Sequence, residues 1–234
     1  MDFTAQLPAV LHNRSLSYEP LRGRRVVLGF GGRALLLALL SNPLRPYTVV
    51  GAATTAVELA SLVDTQRPDL LFCGDRLEAG DPLALLESVL AAGEPARVLL
   101  LLSSTPGMAA RAQRAIEAGC DGLLVENQLG TGSLVAAMHA LCGGGVYVDR
   151  SLADTYRRHR TVDAGPLLSS LSPRELEVLS RVAAGMPNAE IGRELHVSAE
   201  TVKSHLGHLI RKLGVRDRTH AAVIGLKHGL IDYP

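Results

Sequence analysis

The stretch Pro187-Asn-Ala-Glu-Ile-Gly-Arg-Glu-Leu-His-Val-Ser-Ala-Glu-Thr-Val-Lys-Ser-His-Leu-Gly-His-Leu-Ile-Arg-Lys-Leu213 decides the architecture of the C-terminal part of this chain. Two helical runs are separated only by His196-Val197-Ser198, the short turn that a helix-turn-helix requires. Ser198 is a good N-cap for the second run, residues 199–213. Within it Val202, Leu206, Leu209 and Leu213 recur at i, i+4, i+7 and i+11, so they form the face packed on the rest of a domain. The same geometry puts Glu200, Lys203, Ser204, Gly207 and Arg211 on the opposite face, with His208 beside them and Thr201 and His205 on the flanks. Short, polar and cationic side chains on one exposed stripe can enter a DNA major groove, about 12 Å wide, and reach base edges.

Helical period extends on both sides of this stretch, giving four short helices at about 173–184, 187–195, 199–213 and 217–229. Between His196 and His228 six bases, Lys203, Arg211, Lys212, Arg216, Arg218 and Lys227, face only the acids Glu200 and Asp217. The net charge of +1 over the whole chain conceals this local excess, which suits a polyanionic partner.

Further upstream the period changes. Short apolar runs at Val26–Leu28, Val49–Ala52, Leu70–Cys73, Val98–Leu102 and Leu123–Val125 read as buried strands, with helical stretches between them near 32–41, 54–66, 82–92, 107–118 and 129–142. Such alternation implies a parallel sheet covered on both faces, an α/β flavodoxin-like domain of five βα units. The chain therefore divides into a poorly ordered tail at 1–22, an α/β domain at 23–145 closed by Gly143-Gly144-Gly145, a partly helical linker at 146–168, and an all-α domain of four helices at 169–234.

The C-terminal motifs resemble a known family. Leu171-Ser-Pro-Arg-Glu-Leu-Glu-Val-Leu179, Gly185-x-x-Asn-x-Glu-Ile191, Ser198-x-x-Thr-Val-Lys-x-His205 and Arg211-Lys-Leu-Gly-Val-Arg-Asp-Arg-Thr219 are similar to the LuxR/NarL regulators. By that resemblance Lys203 and Ser204 read bases, Thr201 and His205 sit close to the backbone, and the last helix supplies a homodimer contact on an inverted repeat of promoter DNA. RNA polymerase is the further partner that the resemblance implies. Pro187 departs from the family, which has a capping Ser or Thr there; Pro tolerates a first helical turn, so the helix is expected to survive with a different cap.

With a flavodoxin-like domain ahead, the whole resembles a two-component response regulator whose receiver spans 23–145. Receiver phosphorylation requires an acceptor Asp at the end of the third strand, two acids after the first strand to hold Mg²⁺, and a Lys after the fifth. Here Leu28-Gly-Phe-Gly-Gly-Arg-Ala34 follows the first strand, and no Asp or Glu occurs between Glu19 and Glu58. Gly74 occupies the acceptor position and Asp75 comes one residue late, which turns the side chain to the other side of a strand. Glu126 stands in the place of the Lys, and the first lysine of the entire chain is Lys203. Leu123 replaces the aromatic switch residue, while Ser103 or Ser104 keeps the hydroxyl. Losing the metal ligands and the Lys together removes the electrostatic basis of the transfer. The chain thus resembles an atypical orphan regulator of the actinobacterial type, with phosphorylation of Asp75 as the competing reading.

The turn Gly29-Phe-Gly-Gly32 lies at the C-terminal edge of the sheet, where doubly wound folds bind ligands. Arg33 is close enough to attract an anion, so Gly29, Gly31, Gly32 and Arg33 form a candidate effector site. They lack dinucleotide or P-loop spacing, and no cofactor is expected. An enzyme built on the α/β half is the rival class, but its strand ends show no His and no paired nucleophile and base. The longest early apolar run, Ala34–Leu40, is far shorter than the roughly 20 residues of a membrane span, so a soluble cytoplasmic protein is expected. Cys73, Cys120 and Cys142 lack C-x-x-C spacing and read as buried thiols, neither disulfides nor metal ligands.

Overall fold

The computed structural model describes residues 19–41, 46–91, 96–129, 131–158 and 170–233. It comprises two compact units, Met1–Cys142 and Gly143–Pro234.

In the first unit the elements run β1 (Arg25–Gly29), α1 (Arg33–Leu40), β2 (Thr48–Ala53), α2 (Ala56–Gln66), β3 (Leu70–Gly74), α3 (Pro82–Ala91), β4 (Arg97–Leu102), α4 (Met108–Ala118), β5 (Gly122–Val125) and α5 (Ser133–Cys142). The strands are parallel in the order β2-β1-β3-β4-β5. Continuous apolar runs produce this arrangement because both faces of a parallel sheet are covered. All five residues of β3 are buried, as are the last five of β4. Two carboxylates anchor strand starts: Asp69 accepts from the Arg25 amide at 2.8 Å, and Asp121 accepts from the Val98 amide at 2.9 Å while pairing with Arg97. Helix ends follow their local chemistry. Thr55 caps α2 and bonds Glu58 in return, and Gly119, at φ 100°, closes α4 by donating to the Ala115 and Ile116 carbonyls. The strand order reverses direction between β1 and β3, so the loops that follow these two strands flank a crevice at the sheet's C-terminal edge.

The second unit holds a two-residue strand β6 (Tyr147–Val148) and helices α6 (Arg150–Arg158), α7 (Pro173–Ala183), α8 (Asn188–Glu194), α9 (Ala199–Leu213) and α10 (Arg218–Lys227). Its core is Val178, Leu179, Val182, Ile191, Val202, Leu209 and the inner face of α10, where Ala221, Ala222 and Val223 are buried. Ser172 and Glu175 form a reciprocal capping box that starts α7.

Three sequence expectations are corrected. Of the expected tail, residues 1–18 lie outside the described residues, but Glu19–Leu21 form a 3-10 turn with Leu21 buried. The segment expected as a linker begins as part of the second unit: α6 packs on α10, Leu152 and Ala153 are buried, and the Tyr233 hydroxyl donates to the Val148 carbonyl at 3.0 Å. Residues 159–168 of that segment lie outside the described residues. At α8, Pro187 takes the N-cap position with no side-chain cap in its place, and the helix is held by its packing on α9 and α7.

Candidate nucleic-acid interface and a cleft at the sheet edge

Helix α9 presents the face that its periodicity demands. Val202, Leu206, Leu209 and Leu213 are buried, whereas Glu200, Lys203, Ser204, Gly207, His208 and Arg211 are exposed and Thr201 and His205 are half-buried on the flanks. Ser198 caps the helix, accepting from the Thr201 amide at 3.0 Å. The turn before it is tight because Gly192 lets α8 approach: a Cβ there would stand 2.7 Å from the Val197 carbonyl oxygen. Arg174 fastens the same turn by donating to the Leu195 carbonyl at 2.7 Å. The exposed stripe is lightly engaged. Lys203 lies 3.7 Å from Glu200 with both side chains largely in solvent, and among the described residues Arg211 reaches only the Gly207 carbonyl of its own helix at 3.4 Å. An exposed pair of this kind contributes well under about 1 kcal/mol, so Lys203 is free to exchange it for another anion.

Two of the six bases counted in the sequence have structural tasks instead. Lys212 donates from Nζ to the buried Glu175 at 2.7 Å. Burial pushes the Glu175 carboxyl up, but the Lys212 ammonium and the bonds from Ser172 outweigh it and hold the pKa down at about 2. Arg218 donates to the Met186 carbonyl at 2.7 Å and the Gly144 carbonyl at 2.8 Å, tying chain ends within the second unit. A charge count cannot separate such cations from the free ones, since the distinction lies in which carbonyl or carboxylate the fold brings opposite them. The sequence gives no sign of the tasks of Gly192 and Arg174, and it counts Arg218 only among the bases.

At the edge of the sheet in the first unit, Phe30, Gly31, Gly32, Leu35, Gly74, Asp75, Arg76, Leu101, Ser103, Thr105 and Glu126 line a cleft of about 280 Å³. The Phe30 ring is 3% exposed and packs edge-on to Phe72 with centroids 4.8 Å apart. It also fills the space beside Gly74, where a Cβ would stand 3.2 Å from the ring. A side chain at Gly74 would press on this ring, which would have to give by a few tenths of an ångström. Asp75 is buried and fully engaged: Arg111 Nε donates to it at 2.6 Å, and the Ser103 hydroxyl donates at 2.8 Å. Arg111 also binds the Ser103 and Pro106 carbonyls and the Thr105 hydroxyl, so one guanidinium pins the whole loop after β4.

The candidate effector residues separate. Gly31 and Gly32 line the cleft, but Gly29 does not: a Cβ there would overlap the Leu59 side chain, so this glycine serves core packing. Arg33 also lies outside the lining. Its side chain is 77% exposed and bonded to Glu78 at 2.9 Å, a bond that raises the guanidinium pKa and lowers that of the carboxyl. Cys73 and Cys120 are buried, burial pushing the Cys73 thiol up to about 12, and Cys142 is half-buried. Among the described residues, no group of three His, Cys, Asp or Glu side chains is placed to hold a metal ion, and no helix is long and apolar enough to cross a membrane.

Comparison with known proteins supplies four findings. The family of bacterial regulatory proteins of the luxR type matches residues 169–224. The probable transcriptional regulatory protein NarL of Mycobacterium tuberculosis is 32% identical over 184 residues, covering 79% of this chain and 84% of that protein. The nitrate/nitrite response regulator protein homolog of Haemophilus influenzae is 30% identical over 178 residues, covering 76% and 83%. Among solved structures, the RcsB response regulator of Salmonella typhimurium shares the fold, with a TM-score of 0.52 at 20% identity over 86% of this chain and 97% of that one.

Proposed function

The chain belongs to the LuxR/NarL response regulators, DNA-binding transcription factors, and on that premise we propose that it binds an inverted repeat in promoter DNA as a homodimer and is not governed by aspartyl phosphorylation. Lys203 and Ser204 read base edges, Gly207 lets the helix approach the groove, and Thr201, His205, His208 and Arg211 meet the backbone. A regulator of this kind acts on RNA polymerase, and its control comes from its own concentration or from a small effector in the receiver. The observation that carries the phosphorylation-independent part is the state of Asp75, whose carboxylate is buried and already bonded to Arg111 and Ser103. A carboxylate that must first give up a guanidinium is a poor nucleophile, and no acid follows β1 to bring Mg²⁺ beside it.

The test of the DNA-binding part is recovery and sequencing of DNA bound by the protein in cells, followed by footprinting of the wild type and Lys203→Ala on the recovered site. A footprint over two half-sites that Lys203→Ala loses supports the assignment. Equal protection by both proteins contradicts it.

A further inference from the structure

The cleft at the edge of the sheet is lined by two opposite charges that do not meet. Arg76, two residues beyond β3, presents an exposed guanidinium that donates one N–H to the Thr105 hydroxyl at 2.8 Å and has no carboxylate partner among the described residues. Glu126, the first residue after β5, presents an exposed carboxylate that makes no hydrogen bond or ion pair among the described residues. Strand β4 runs between β3 and β5, so the two strand ends lie about 10 Å apart, twice the spacing of neighbouring strands. The third ionic group of the lining, Asp75, is already neutralised by Arg111. Phe30, Leu35 and Leu101 give the cleft a wall of carbon.

From this arrangement we infer that the cleft binds an apolar α-amino acid as its zwitterion, with the carboxylate on Arg76, the ammonium on Glu126 and the side chain against Phe30, Leu35 and Leu101. Charge selects the class. A plain carboxylate gains Arg76 but meets a like charge in Glu126, and a plain amine gains Glu126 but meets Arg76. A zwitterion answers both and brings no net charge into the cleft. Its ammonium and carboxylate, with one hydrogen bond beyond each, span about 9 Å, close to the separation of the two strand ends. The guanidinium fork fits a carboxylate bidentately, and the contacts at both ends are charge-assisted. The Gly31 amide donates to the Arg76 carbonyl at 3.2 Å, so the start of α1 adjoins Arg76, and its first-turn amides, which have no side-chain cap, add attraction at the carboxylate end. At about 280 Å³ the cleft belongs to the small end of ligand pockets, as an amino acid requires. The inference rests on the reading of a receiver not governed by phosphorylation, and adds the chemical class of its effector.

Calorimetric titration of the full chain with L-leucine tests it against three analogues. Isoamylamine and 4-methylpentanoate keep the carbon skeleton of leucine with one charge each, and L-asparagine keeps both charges with a polar side chain of similar shape. L-Leucine is expected to bind saturably, and at least about tenfold more tightly than each of the three. Arg76 and Glu126 are both exposed, so their substitution leaves the core intact. Arg76→Gln is expected to weaken leucine about tenfold and to strengthen isoamylamine, whereas Glu126→Gln weakens leucine by a similar factor and strengthens 4-methylpentanoate. Loss of folding cannot produce that crossed pattern. No saturable binding of leucine, equal or tighter binding of any analogue, or a leucine affinity that either substitution leaves unchanged overturns the inference. A mass increase at Asp75 with acetyl phosphate would overturn the underlying reading instead, so the two failures are distinguishable.

Discussion

Lys203 and Lys212 stand on one helix and have opposite fates. Lys203 points into solvent beside a weakly held Glu200, so replacing it removes the proposed DNA contact and is expected to leave the fold unchanged. Lys203→Ala is expected to weaken binding to the specific site by about 1–3 kcal/mol, measured by fluorescence anisotropy, with little effect on thermal stability. Lys212 instead neutralises a buried carboxylate. Because the Glu175 pKa is lowered in the folded state, its contribution to stability is complete above about pH 4.5 and is lost as the pH falls toward about 2. Thermal melting of the second unit's helices is expected to weaken through that window, and Lys212→Met should start the loss at a higher pH; an unchanged profile would refute the pairing. Asp75 carries the third prediction. Asp75→Asn leaves Arg111 without its charge partner and is expected to cost about 3 kcal/mol in urea denaturation of the first unit. A loss of DNA binding by that variant would thus report damage to the fold, not loss of a phosphorylation site.

At the scale of elements, α8, the turn and α9 act as one piece. Gly192→Ala is expected to destabilise the second unit by about 1–3 kcal/mol, because the added methyl meets the Val197 carbonyl backbone and not a movable side chain. A melting temperature equal to that of the wild type would show that the turn has slack. Arg211→Ala belongs to this scale too, since in the proposed docking the last turns of α9 meet phosphates and not bases. It should weaken binding to all duplexes alike and lower the slope of log affinity against log salt by about one. Periodicity made these elements legible: the buried stripe of α9 and the apolar strands can be read directly, because a helix or a parallel strand that hides carbon repeats it at a fixed period. Tertiary context could not be read that way. Nothing local in Tyr147 to Ala153 announces that this segment packs on α10, and Pro187 is a helix start whose missing cap is compensated by packing. Gly29 and Gly31 look alike in the sequence, yet one makes room for Leu59 and the other lines the cleft.

On the scale of the whole molecule, a single short helix reads too few base pairs for useful specificity, so the protein is expected to bind as a homodimer to half-sites about one DNA turn, roughly 10 bp, apart. Analytical ultracentrifugation with the recovered duplex should give two chains per duplex, and one chain per duplex would contradict it. Function was more legible than its control. The proposed recognition helix is picked out by residue types on an exposed face, and the missing acids after β1 are visible as absences in the sequence. What replaced them was not visible, because the Phe30 ring beside Gly74 and the Arg111 guanidinium on Asp75 come from positions far apart in the chain. The central claim is that this regulator binds DNA without an aspartyl phosphate. Anisotropy titration of the full chain on its recovered site, with and without beryllofluoride and Mg²⁺, tests it most directly. Superimposable isotherms are expected, since the Asp75 carboxylate is occupied and no acid follows β1; a tenfold or greater gain in affinity on adding beryllofluoride, roughly 1.4 kcal/mol, would contradict it.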